Sequence, residues 1–129
     1  MCVISRTAFT ILFIMGIFNL FGASDNPAPD ELVLIQLKKA GSNLSKPHKI
    51  EFFLYLPSEA AAKMAASRIQ EHGFQAAVKP PLKTADWLCF ATKTMVPELS
   101  ELQRIRRDFD RLTHDLGGNY DGWGTEVEK

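Results

Sequence analysis

Two periods of apolar residues take turns along this chain. Over 49–56, Ile50, Phe52, Leu54 and Leu56 share one face, while Glu51, Phe53 and Tyr55 share the other. A period of two predicts a strand buried on one side. Pro57 ends it, and Ser58 suits a helix N-cap, because its hydroxyl can accept from the first free N–H groups of a helix. Glu59 to His72 is Ala-rich and helix-forming, with Ala62, Ala65, Ala66 and Ile69 as its buried stripe. Side chains this small let a helix sit close to a sheet. Gly73 is the natural residue just past its end.

Alternation returns over 74–78, with Phe74, Ala76 and Val78 inward, and Pro80-Pro81 stops it. Trp87 to Thr94 reads as a third strand, with Leu88 and Phe90 on one face and Trp87, Cys89 and Ala91 on the other. Pro97 and Glu98 open the longest helix. Leu99, Leu102, Ile105, Phe109, Leu112 and Leu116 recur there at steps of three or four, the clearest helical period in the chain. Gly117-Gly118 ends it, and Tyr120 to Val127 reads as the last strand. Ahead of the first strand, Glu31 to Ala40 fits a short helix stopped by Gly41, with Leu32, Ile35 and Leu37 available for burial. Val33 and Leu34 broaden its apolar face, so a strand fits the same run.

The order predicts an α+β fold: a ferredoxin-like β-α-β-β-α-β sandwich with an extra N-terminal helix, its two crossover helices on one face of an antiparallel sheet. No Pro- or Gly-rich linker divides residues 31–129, so they read as one domain. Residues 1–24 differ: Arg6 is the one charge ahead of Asp25, and Ala8 to Ala23 is nearly all apolar. A short basic start, an apolar stretch and Gly22-Ala23-Ser24 fit a signal peptide, and the run is also of marginal length for a membrane anchor. Either would place the domain outside the cytoplasm, exported to the periplasm or anchored to the inner membrane; a cytoplasmic chain is the alternative. Residues 25–30 are a polar, Pro-rich linker.

Charge and candidate chemistry narrow the function. The 129 residues carry 15 Lys and Arg against 15 Asp and Glu, so net charge offers no basis for binding nucleic acid or an anionic membrane surface. Arg104, Arg106, Arg107 and Arg111 are interspersed with Glu101, Asp108 and Asp110, which reads as a solvated, ion-paired helix face. Cys2 and Cys89 form no metal-binding spacing, and no metal or cofactor is expected. His72 and His114 lie near helix C-termini, where the dipole favours them; His48 precedes a strand. There is no HExxH, GxSxG or phosphate loop. An enzyme is not expected.

The densest segment is Gly117-Gly118-Asn119-Tyr120-Asp121-Gly122-Trp123-Gly124, with four glycines, two aromatics and one carboxylate in eight residues. Gly122 and Gly124 fit a bulge, with Asp121 accepting backbone N–H bonds in the turn. Tyr120 and Trp123, three apart in a strand, face opposite sides, so one can anchor the core while the other meets a partner.

Tyr120-Asp121-Gly122-Trp123-Gly124 resembles the signature of the RraB family, protein inhibitors of ribonuclease E. Gly41-Ser42-Asn43-Leu44 with Pro47-His48, Phe52-Phe53-Leu54-Tyr55 and Gly73-Phe74 look like that family too, and the likeness runs over about residues 31–128. The balanced charge departs from the strongly acidic character usual in it. The resemblance implies the same fold, no catalysis and a protein partner, ribonuclease E, whose cleavage of RNA it lowers. It implies partner contacts at Tyr120, Asp121 and Trp123, and a structural role for Gly117, Gly118, Gly122 and Gly124. Two other readings stay open: an exported or membrane-tethered domain of this fold with an envelope protein partner, and a single-stranded RNA binder using Phe53 and Tyr55 as a stacking platform.

Overall fold

The computed structural model of the protein describes residues 28–129. The signal peptide or membrane anchor expected over 1–24 lies outside the described residues, as do 25–27 of the linker. Among the described residues the elements are α1 (Pro29–Lys39), β1 (His48–Leu56), α2 (Glu59–Gln70), β2 (Gln75–Lys79), β3 (Trp87–Met95), α3 (Leu99–Asp115) and β4 (Asn119–Gly124). The strands form one antiparallel sheet in the order β2-β3-β1-β4. This is the α+β, ferredoxin-like arrangement that the periodicities predict, with α1 as the additional helix. No described helix is long and apolar enough to cross a membrane.

The start of α1 and the end of β4 differ from the sequence expectation. α1 starts at Pro29, so Pro29 and Asp30 belong to the helix and not to the linker. Proline suits a first helical position because its missing N–H would have no partner there and its φ is already helical. Asp30 and Glu31 then face the positive end of the helix, and Lys38 and Lys39 the negative end. The buried stripe is Asp30, Val33 and Leu37, rotated from the expected Leu32, Ile35 and Leu37. At the other terminus β4 ends at Gly124, three residues short of Val127. Thr125 leaves the ladder and its Oγ1 donates to the Lys49 carbonyl at 2.8 Å.

The chain groups into two compact units, each built from separated segments. In one, which includes residues 28–50 and 124–129, the C-terminal segment is tied to the α1–β1 loop. Asn43 N–H donates to the Glu128 carbonyl at 2.5 Å, and Lys46 Nζ donates to the Lys129 carbonyl at 2.6 Å.

The other unit comprises residues 51–93 and 104–123 and holds an aromatic core. Phe52 meets Phe74 and Phe109 edge-on at 5.4 and 5.6 Å, and Phe109 meets Tyr120 edge-on at 5.5 Å. Edge-to-face pairs set the positive rim of one ring against the negative face of the next, which adds about 1 kcal/mol each to the burial itself. Ser58 caps α2, its Oγ accepting from Ala61 N–H at 3.1 Å. Ala62, Ala65, Ala66 and Ile69 are buried as expected. Gly118 lies against β1 so closely that a Cβ there would overlap the Tyr55 carbonyl oxygen and approach Leu56 Cδ1 to 2.9 Å.

A candidate protein-binding face

The residues of β1 that skip the core define a second surface. Phe53 and Tyr55 are half-buried on the face opposite Phe52 and Leu54. On β3, Leu88 and Phe90 share that face. The antiparallel register sets Lys79 opposite Leu88 and Ala77 opposite Phe90, and side chains at paired positions lie on the same side of a sheet. Phe53 and Phe90 meet with ring centres 5.5 Å apart. Lys79 Nζ stands 4.6 Å above the Phe90 ring, where the negative face of the π-system attracts an ammonium.

The β2–β3 connection overhangs one end of this face and encloses a groove of about 670 Å³. Tyr55, Leu88 and Asp121 line it from the strands, and Leu82 and Lys83 from the connection. Leu82 is 95% exposed, a large apolar side chain held out at the rim. Burial pushes the Asp121 carboxyl above the ordinary carboxylate range. The Tyr55 hydroxyl is also raised, by burial first and then by the negative charge of Asp121. The groove thus presents an apolar wall beside a half-buried carboxylate and a phenol. It suits an aliphatic or aromatic side chain with a hydrogen-bond donor attached.

The signature residues separate by location. Tyr120 and Trp123 are 8% and 2% exposed, so both aromatics are internal, while Asp121 lines the groove. Tyr120 packs on Phe109, with the Arg106 guanidinium 5.1 Å from its ring centre. Gly122 has φ +116°, a conformation costly for any residue with a Cβ. It breaks the simple alternation of the strand: Gly122, Trp123 and Gly124 are buried in succession. Gly117, with φ +81°, turns the chain out of α3. The helical arginines also separate. Arg104 pairs with Asp108 at 2.9 Å and Arg106 covers Tyr120, whereas Arg107 and Arg111 have no ion-pair partner among the described residues. The expected ion-paired face is therefore only partly paired.

One constellation has no counterpart in the sequence reading of chemistry. Ser42 Oγ lies 2.6 Å from His48 Nε2, and His48 Nδ1 is 2.8 Å from the Lys46 carbonyl. A carbonyl only accepts, so Nδ1 carries a proton. Glu128 N–H donates to Ser42 Oγ at 2.9 Å. A Ser–His contact can serve nucleophilic catalysis, yet here both side chains are buried and the serine is held by main chain. It is a clamp between the α1–β1 loop and the C-terminal segment. The only sequence signal for it is the Gly-Ser-Asn-Leu and Pro-His strings ahead of β1.

No group of three or more His, Cys, Asp or Glu among the described residues could hold a metal ion. No curated protein matches the chain. A family model described as regulator of ribonuclease activity B, RraB, matches residues 28–125. The matched span opens one residue ahead of α1 and closes one residue after β4, and so takes in every element of the fold and the whole Tyr-Asp-Gly-Trp-Gly string. The chain belongs to the RraB family of regulators of ribonuclease activity.

Proposed function

We propose that this protein is a non-enzymatic regulator that binds a ribonuclease, ribonuclease E by its family, and lowers RNA cleavage by occupying the enzyme with the open face of its sheet. The observation that carries the reading is the division of labour within the signature. Tyr120 and Trp123 are internal and fix the strand, and Asp121 projects into the groove beside Tyr55. Exposed apolar area around a few polar groups is the composition of a binding patch. Leu82, Leu88 and the Phe53–Phe90 pair supply the area; Asp121 and Lys79 supply orientation. Tyr120 and Trp123 serve binding by holding Asp121 in place.

The test is co-precipitation of the full chain with purified ribonuclease E, together with cleavage of a labelled RNA. Tyr55→Ala and Leu82→Asp should each weaken binding about tenfold or more, as hot-spot truncations do, with circular dichroism unchanged. Absence of binding by the unmodified chain at low salt would end the assignment of ribonuclease E as partner. Binding by the unmodified chain that neither variant weakens would move the contact to another surface.

A further inference from the structure

The groove under the β2–β3 connection has a charge direction. Its floor runs across the sheet, from Lys79 on β2 through Leu88 on β3 and Tyr55 on β1 to Asn119 and Asp121 on β4. β2 and β4 are the two edges of the sheet, about 14 Å apart at the usual strand spacing, so the lysine and the carboxylate start from opposite ends. Lys79 is engaged at its end, with Nζ 4.6 Å above the Phe90 ring. Lys83 and Asp86 both stand on the connection, where their opposite charges offset one another. The β4 end has no such balance. The Asp121 carboxylate and the Tyr55 hydroxyl, both half-buried, have no hydrogen-bond or ion-pair partner among the described residues. They lie close enough for the negative charge of Asp121 to raise the Tyr55 hydroxyl. Asn119, two residues before Asp121 on β4, adds a side-chain carbonyl to the same end.

A carboxylate that has lost part of its hydration without gaining a partner carries a desolvation cost, and a cation brought to it offsets that cost through charge-assisted hydrogen bonds. Three acceptors side by side, on Asp121, Tyr55 and Asn119, match a planar guanidinium with its five N–H donors better than a compact ammonium. Leu82 and Leu88 supply apolar wall, along which the aliphatic stem of an arginine packs while its head stays polar. An acidic side chain would meet Asp121 as a like charge. A nucleic-acid base would need an open aromatic face, but Lys79 covers the Phe90 ring and Phe53 meets it edge-on. We propose that the groove receives an arginine of the partner protein, its guanidinium on Asp121 with Tyr55 and Asn119 beside it and its stem along Leu82 and Leu88. This deepens the proposed function and rests on it for the identity of the partner.

The experiment is an NMR titration of the isotope-labelled full chain with the peptide acetyl-Leu-Arg-Leu-amide, repeated with citrulline, lysine or glutamate in place of the arginine. Citrulline keeps the stem and the planar head but carries no charge. Saturable shifts at Tyr55, Leu88 and Asp121 are expected with the arginine peptide. The citrulline and glutamate peptides should each bind at least about tenfold more weakly, the scale of one charge-assisted hydrogen bond, and the lysine peptide should also bind less tightly. Asp121→Asn removes the charge and keeps the shape, and should weaken the arginine peptide about tenfold. The Asp121 carboxylate makes no hydrogen bond within the described fold, so the variant should keep its melting temperature. Absence of saturation, shifts confined to another surface, equal binding of any of the three comparison peptides, or indifference to Asp121→Asn would each overturn the assignment. Ribonuclease E enters none of these readouts. A groove that takes the arginine peptide in a chain that does not bind ribonuclease E would end the proposed partner and keep the site; binding of ribonuclease E by a chain whose groove ignores the peptide would do the reverse.

Discussion

Ser42 Oγ and His48 Nε2 lie 2.6 Å apart in the buried part of the α1–β1 loop. That contact ties the α1–β1 loop to the C-terminal segment. The hydroxyl also receives Glu128 N–H at 2.9 Å, and the imidazole holds the Lys46 carbonyl at 2.8 Å. The C-terminal segment has little apolar surface of its own to bury, so these polar bonds fix its course.

Ser42→Ala removes the bridge and leaves His48 Nε2 buried and Glu128 N–H part-buried, both without that partner. Unmet buried polar groups cost about 1–3 kcal/mol each, partly relieved by water entering the space of the lost hydroxyl. Ser42→Ala should lower stability to urea by about 2 kcal/mol. Hydrogen exchange of the amides over 126–129 should rise more than that of β1. Unchanged exchange at the C-terminal segment would mean that the clamp does not hold it.

Gly118→Ala should be strongly destabilising. The new Cβ would overlap the Tyr55 carbonyl oxygen, which is fixed in β1 and cannot rotate away as a side chain could. Overpacking against rigid atoms costs about 1–3 kcal/mol, and the upper end applies here. Gly41→Ala makes the comparison: φ is +96° but the space is open, so strain alone should cost about 1 kcal/mol. Equal losses for the two in chemical denaturation would refute the close-approach account of Gly118.

The fold was readable because its elements announce themselves locally. β1 alternates without a fault, α2 begins at a serine cap, and α3 repeats apolar residues at helical steps. The letters carry the last strand on to Val127 because Thr125, Glu126 and Val127 have the composition of a strand, whereas β4 ends at Gly124 and Thr125 bonds the Lys49 carbonyl through its side chain. The signature was readable as unusual but not in its geometry. Strict alternation sends Tyr120 and Trp123 to opposite faces, and the positive φ at Gly122 that accompanies the break in alternation is invisible in the letters. The groove was not readable either. Tyr55 and Asp121 are brought together by the sheet order, not by spacing along the chain.

Cys89 should be inert in the folded protein. Burial pushes its thiol up to about 11, so the reactive thiolate is scarce at pH 8, and the side chain has no exposed surface. Peptide-level mass spectrometry after iodoacetamide treatment, which reads Cys89 separately from Cys2, should show labelling at least about 100-fold slower than in 6 M guanidinium chloride. Comparable rates in the two conditions would mean that β3 opens readily.

Glu126 gives the chain a pH dependence with a definite sign. Its carboxyl is pushed up to about 7, by burial first and by the nearby negative charge of Glu128 second. The folded state therefore holds this proton more tightly than the unfolded chain does. The stabilisation is fully present below the ordinary value of 4.5 and is lost as pH rises through about 7. Glu126→Gln, which is neutral at every pH, should flatten that part of the stability profile. Solvent near the carboxyl screens part of the effect, so a gain in Tm of about 2–4 °C at pH 8 is expected, shrinking to none near pH 4.5. Parallel Tm profiles for the two proteins between pH 4.5 and 8 would show that Glu126 titrates alike in the folded and unfolded chains.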